Sequence, residues 1–350
     1  MAGSFADRTG IIGCANDFQH GNQRTMKHSH TTRQPSHFLV FVAVLLAAIS
    51  FADIAAAADS PAVDSLVAKG VRIKTEKDGT VSELSAGSKA TITAADYEII
   101  GAIRTLKRAD ISPETARLDD ETAASLGKLD QLEKFFANGA ELSDDGFKAF
   151  AGWKSLKSFG LDHWGWFASG HVGRKDTLGP GIAHLASCPE LEHVRLGGCR
   201  VDNRVTEALA KIKSLQSVDL QHTLAVTDEG IPALAALPKL RIVKLSPQFS
   251  PRITDATLIA LGKIGTLEEI ELNETWLTYA KGFSHLKNLA SLKKVTLTKV
   301  VATDDDIARL KADHPAATVV WTKPDDEIAT KTREQFQRFW EKQPKAKPAL

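Results

Sequence analysis

His163 and His171 flank an aromatic run, Trp164-Gly165-Trp166-Phe167, and His193, Asp219 and His222 follow further along the chain. Imidazoles and carboxylates in such numbers are what a tetrahedral zinc site requires. The spacing gives this chemistry little support, because neither H-E-x-x-H nor C-x-x-C occurs. A metal-assisted enzyme around His163, His171 and His222 is therefore the minor alternative, and no metal or cofactor is expected. Nucleophilic chemistry fares no better. Cys188 and Cys199 stand at the two ends of one strand-like segment, without an adjacent base. At about 3.3 Å per residue they are too far apart for a disulfide, whose Cα atoms lie within about 7 Å. Two free, buried thiols are the expectation. G-x-G-x-x-G, G-x-x-x-x-G-K-[ST] and G-x-S-x-G in its strand-turn-helix setting are all absent, so the chain does not read as an enzyme.

The same residues suit recognition better. Trp164, Trp166 and Phe167 put three aromatics into four positions. Such a platform stacks on sugar rings or covers an apolar partner patch; the plainer reading is that the rings fold back and close an edge. Arg195, Asp219, Lys244 and Glu271 recur at one position of successive segments, with alternating charge. Neighbouring strands lie about 4.8 Å apart, so these four would form a ladder. Either it neutralises the surface, at about 0–1 kcal/mol per pair, or it is a docking stripe.

The elements that must hold these residues are set by a period. L-x-x-L-x-L, with conservative replacements, begins at Val81, Leu106, Leu132, Leu156, Leu191, Leu215, Leu240, Leu267 and Leu292, in steps of 25, 26, 24, 35, 24, 25, 27 and 25. A second pattern is locked to it: Leu142-Ser143-Asp144-Asp145-Gly146, Val226-Thr227-Asp228-Glu229-Gly230 and Ile253-Thr254-Asp255 each precede helically spaced apolar residues. Ser-Asp or Thr-Asp suits a helix N-cap. Each unit is then a strand, a turn and a helix, and only stacking buries its apolar face. The one long step places an insert at 162–177, which carries the aromatic run.

These repeats resemble the leucine-rich repeat proteins. Cys188-Pro189-Glu190-Leu191 through Cys199 is similar to the cysteine-containing subclass, with Thr223 and Thr275 standing at the second cysteine's place in later repeats. The I-T-D segments are also similar to secreted bacterial members. The resemblance implies an α/β fold, a right-handed horseshoe solenoid of about nine repeats with a parallel concave sheet and convex helices. It also implies a protein or peptide partner. The concave third positions would read Arg108, Lys134, Ser158, His193, Ser217, Ile242, Glu269 and Lys294, and the fifth positions run from Asp110 and Phe136 to Thr296.

Composition is compatible with this. The 350 residues are 43% hydrophobic and 25% charged, with 44 Lys+Arg against 43 Asp+Glu. That balance speaks against a nucleic-acid partner. Phe38–Ser50 is an apolar run followed by Ala55–Ala58, which reads as a secretory segment cleaved after Ala58, a retained signal anchor being the alternative. Residues 1–58 read as a leader, and within it Met26 is the better start, residues 1–25 being expected to stem from an upstream start codon. The remainder organises as an N-terminal cap at 59–80, the solenoid at 81–322, and a helix (about 326–341) with a loose tail at 323–350. The sequence thus points to an exported, periplasmic or extracellular binding module of the bacterial envelope without a membrane span after cleavage. Its binding residues would be His163, Trp164, Trp166, Phe167, His193, Arg195, Asp219, His222 and Lys244. A carbohydrate binder using Trp164 and Trp166 is the alternative.

Overall fold

Short apolar alternation makes strands, and in this chain every strand pairs with the next one along the sequence. The computed structural model describes residues 60–165 and 178–342. The chain divides into two compact units, Met1–Ala47 and Ala48–Leu350, and all described residues lie in the second. The apolar run at 38–50, the small-residue segment after it, Trp166, Phe167 and His171 lie outside them.

One eleven-stranded sheet runs in strict chain order. Its first strands are β1 (Arg72–Thr75), β2 (Val81–Ala86), β3 (Arg108–Ile111), β4 (Lys134–Asn138), β5 (Ser158–Asp162) and β6 (His193–Gly197). The rest are β7 (Ser217–Gln221), β8 (Ile242–Ser246), β9 (Glu269–Asn273), β10 (Lys294–Thr298) and β11 (Thr318–Thr322). β1 and β2 form an antiparallel hairpin that starts the sheet, and every later pair is parallel and in register. The segments that begin L-x-x-L-x-L end on β2 to β10. Their leucine-type positions are buried while the third and fifth positions lie on the opposite, open face. The fold is a leucine-rich repeat solenoid.

The helices are α1 (Pro61–Ala68), α2 (Ala94–Ala102), α3 (Asp120–Leu126), α4 (Arg204–Leu209), α5 (Asp255–Leu261), α6 (Asp304–Asp313) and α7 (Asp326–Lys342), and α2 to α5 stack in chain order with the 3₁₀ turns of the neighbouring repeats. Four units depart from the expected α-helix and carry 3₁₀ turns instead, at Asp145–Gly152, Pro180–Ser187, Ile231–Ala236 and Phe283–Leu286. Pro180 and Pro232 start two of these. A 3₁₀ turn rises about 2.0 Å per residue against 1.5 Å for an α-helix, so these backs are drawn out more than the helical ones. Among the described residues no helix is long and apolar enough to cross a membrane.

The Ser-Asp and Thr-Asp pairs do more than cap. Thr254 caps α5 through Ala256 N, but the acidic partner reaches into the next repeat. Asp228 accepts Thr254 N at 2.8 Å and Asp255 accepts Thr278 N at 2.8 Å, and Asp120, which follows the capping Asp119, accepts Ser143 N at 2.8 Å in the same way. Asn203 does the same for Thr227 N at 2.9 Å. A row of such bonds stitches the units together beside the helices. The glycine of the motif leaves the space: a Cβ on Gly230 would stand 2.5 Å from Asn203 Oδ1, and one on Gly282 would stand 2.3 Å from Asp255 Oδ1. Where Thr257 takes that place, its hydroxyl donates to Asp228 instead.

At the far end, α7 folds back. Phe336 is buried, and the Trp276 ring lies 6.1 Å from it and 5.1 Å from Trp340.

Candidate ligand-binding face

Register decides which side chains meet on the open face. Gly160, Arg195, Asp219, Lys244 and Glu271 are successive register partners from β5 to β9. The alternating column closes into two ion pairs, Arg195–Asp219 at 2.6 Å and Lys244–Glu271 at 3.0 Å. Arg195 also forks onto Asp162, with Nε 2.9 Å from Oδ1 and Nη2 3.2 Å from Oδ2. Burial works against the guanidinium's charge, but Asp162 and Asp219 outweigh it and hold the group above its ordinary pKa. Glu271 is likewise held below the usual carboxylate range: burial pushes it up, and Lys244, Gln221 and Asn273 outweigh that. A guanidinium fixed between two carboxylates is an oriented polar centre, with little rotamer freedom left to lose on binding.

Two depressions meet at Arg195. One, of about 460 Å³, lies at the C-terminal ends of the strands and is lined by Asp162, His163, Arg195, Gly197, Gly198, Gln221, His222 and Gln248. His163 (φ 54°), Gly198 (φ 64°) and His222 (φ 62°) follow β5, β6 and β7 in the left-handed region. That turn aims both imidazoles along the strand ends, and glycine at 198 leaves the notch between them. A side chain there would crowd the His163 ring, whose Cδ2 would lie 3.0 Å from its Cβ. His163 Nδ1 lies 2.9 Å from Asn138 Oδ1, and His222 Nε2 lies 3.6 Å from Glu274 Oε2. The second depression, of about 410 Å³, opens on the sheet itself; Phe136, His193, Arg195, Asp219 and Lys244 line it together with Arg108 and Lys134.

Of the residues selected from sequence, His163, Arg195 and His222 line the first depression and His193, Arg195, Asp219 and Lys244 the second. Trp164 is a correction. It is wholly buried, with Nε1 donating to Leu142 O at 2.8 Å and its ring 4.9 Å from Phe147. It presents no indole face to a ligand, so it leaves the binding set and the sugar platform loses one of its two rings. The reason is local: β4 and β5 fill their core with Phe135, Phe147, Phe150, Trp153 and Phe159, and Trp164 completes that aromatic packing. Among the described residues no three His, Cys, Asp or Glu side chains gather closely enough to hold a metal ion. His163 and His222 share a cleft, whereas His193 sits at the other end of β6. Cys188 and Cys199 are free and buried.

Reading by sequence did not select Arg108, Lys134 or Phe136. The signal was present: Arg108 and Lys134 are consecutive like charges in one column, and Phe136 is an aromatic in the next.

No protein-family model matches the chain, and no curated protein does. Similar solved structures exist at low identity. Internalin C2 from Listeria monocytogenes is 16% identical, over 75% of this chain and 93% of that one, with a TM-score of 0.43. The internalin inlF from the same organism is 16% identical, over 73% and 85%, at 0.40. The chain in a TLR13–ssRNA13 complex is 18% identical over 67% of this chain, which spans 30% of its length, at 0.45. The assignment of the fold rests on the register of the sheet.

Proposed function

We propose that this protein is a non-enzymatic binding module that takes a protein or peptide partner on the open face of its sheet. The observation that carries this reading is the Asp162–Arg195–Asp219 network at the junction of two depressions. It combines a fixed charged centre with concave surface on both sides, as a recognition site requires. His163, His193, His222 and Lys244 supply further polar contacts around it. Trp166 and Phe167, which lie outside the described residues, belong to the reading from the sequence alone. The apolar run at 38–50 supports export to the bacterial envelope, with cleavage after Ala58; N-terminal sequencing of the exported protein should then begin at Asp59.

Selection of displayed random peptides on the purified protein tests the binding reading. Enriched peptides should bind the wild type and lose about tenfold or more in affinity on Arg195→Ala. Enriched peptides indifferent to every substitution on the open face would move the site elsewhere and sink this assignment.

A further inference from the structure

Two like charges lie side by side on the open face. Arg108 and Lys134 are register partners on β3 and β4. Like charges placed directly opposite in a sheet are destabilising. Neither has an ion-pair partner within 4 Å among the described residues. Glu83, the other register neighbour of Arg108, is already engaged by Lys74 at 2.5 Å. Further along the sheet the pattern differs: Lys244 meets Glu271, and Lys294 meets Glu269 at 3.9 Å.

The basic pair sits in a longer trough. A depression of about 380 Å³ lined by Arg72, Lys74, Glu83 and Asp110 shares Arg108 with the one described on the sheet, which shares Arg195 with the strand-end cleft. On the face of β1–β6 the basic side chains are Arg72, Lys74, Arg108, Lys134 and Arg195, against Glu83, Asp110 and Asp162. On β7–β11 the balance reverses, with Lys244 and Lys294 against Asp219, Glu269 and Glu271. Phe136 adds an apolar wall within the basic half: it leans over Gly160, where a Cβ would stand 2.8 Å from its Cδ2.

We propose that the trough over β1–β8 binds an extended acidic polypeptide segment, whose carboxylates are received by Arg108 and Lys134 and whose apolar side chain rests on Phe136. This deepens the binding-module reading and rests on it. Crossing β1 to β8 covers about 34 Å at 4.8 Å per strand, the reach of about ten extended residues. Charge complementarity favours the acidic segment, because it would remove the Arg108–Lys134 repulsion that the free protein carries.

Fluorescence anisotropy tests this with a labelled peptide of about ten residues, glutamates around a central tyrosine, and with its lysine counterpart. The glutamate peptide should bind saturably, weaken as salt is raised, and bind the Arg108→Gln/Lys134→Gln double variant about tenfold or more weakly. Both side chains are exposed, and Lys263→Gln on the opposite surface should change nothing. Equal affinity for the lysine peptide, or no loss in the double variant, overturns the proposal. So does displacement by polygalacturonate at lower carboxylate concentration than the peptide, which would assign the trough to an anionic polysaccharide. Salt-sensitive self-association in sedimentation would put a second copy's Glu269 and Glu271 there instead, and would overturn it as well. If neutral display-selected peptides bind in an Arg195-dependent way while the glutamate peptide fails, the binding module stands and its acidic preference falls.

Discussion

The Trp164 indole donates to the Leu142 carbonyl at 2.8 Å, as the Thr275 hydroxyl donates to the Ile253 carbonyl at 2.5 Å, each reaching back 22 residues. The two residues occupy one column, three places after the last apolar position of their strands, and the column is buried at Cys199 and Thr223 as well. Trp164 is therefore a core residue. Trp164→Ala should cost about 3–5 kcal/mol in urea unfolding. Trp164→Phe should cost less, about 1–3 kcal/mol, for the carbonyl left without its donor. Peptide affinity of the folded fraction should be unchanged in Trp164→Phe.

Gly197 controls the fork on Arg195. A Cβ there would stand 2.4 Å from Asp162 Oδ1 and 2.7 Å from Arg195 Nη2. Both atoms are side-chain ends that can swing away, so Gly197→Ala should leave the melting temperature nearly unchanged. The Arg195–Asp162 fork must open, and ligand affinity should fall by about tenfold, the same loss expected for Arg195→Ala. An intact affinity in Gly197→Ala would show that the fork does not orient the ligand.

Burial raises the Asp255 pKa above its ordinary 3.8, against the bonds from Thr278 that favour the charged form. A carboxyl whose pKa is higher in the folded than in the unfolded chain supports folding while protonated. That contribution is complete below the unfolded value and is lost as pH rises through the folded one. Asn203 shows what a neutral side chain does in the same role, accepting Thr227 N and donating to Thr227 Oγ1 at 2.8 Å. Asp255→Asn should therefore melt at or above the wild type at pH 7, with the advantage vanishing toward pH 3. Asp255→Ala, which leaves Thr278 N without its acceptor, should lose about 1–3 kcal/mol.

Cys188 and Cys199 are buried, and burial pushes both thiols above their ordinary pKa. Iodoacetamide followed by peptide mapping should leave both unmodified in the native protein and alkylate both in guanidinium. Rapid native labelling of Cys199 would mean that the β6 repeat opens far more readily than its packing implies.

The period alone carried the solenoid, because each repeat buries the same apolar positions and the register follows from them. It also placed Arg195, Asp219 and Lys244 on one face. It misassigned Trp164, since an aromatic run looks like an exposed platform unless each ring is tested against its column; Leu161 plus three is the place of Cys199 and Thr275. The ion pairs that settle which charges are engaged depend on side-chain reach. Arg108 and Lys134 therefore stand out only through the pairing of Glu83 with Lys74. The Thr-Asp motif was legible as a cap, but its bond to the next repeat joins residues 23 to 26 apart and shows only in three dimensions.

That bond has a consequence for how such a chain can change length. Each of these repeats offers an acceptor to its successor and a donor to its predecessor, like a link with a hook and an eye. Excising one whole link brings the hook of the preceding repeat to the eye of the following one, whereas excising half a link strands one of them. Gene duplications and losses in whole-unit steps would pass through this architecture with their junctions already matched, and a deletion of a dozen residues would not.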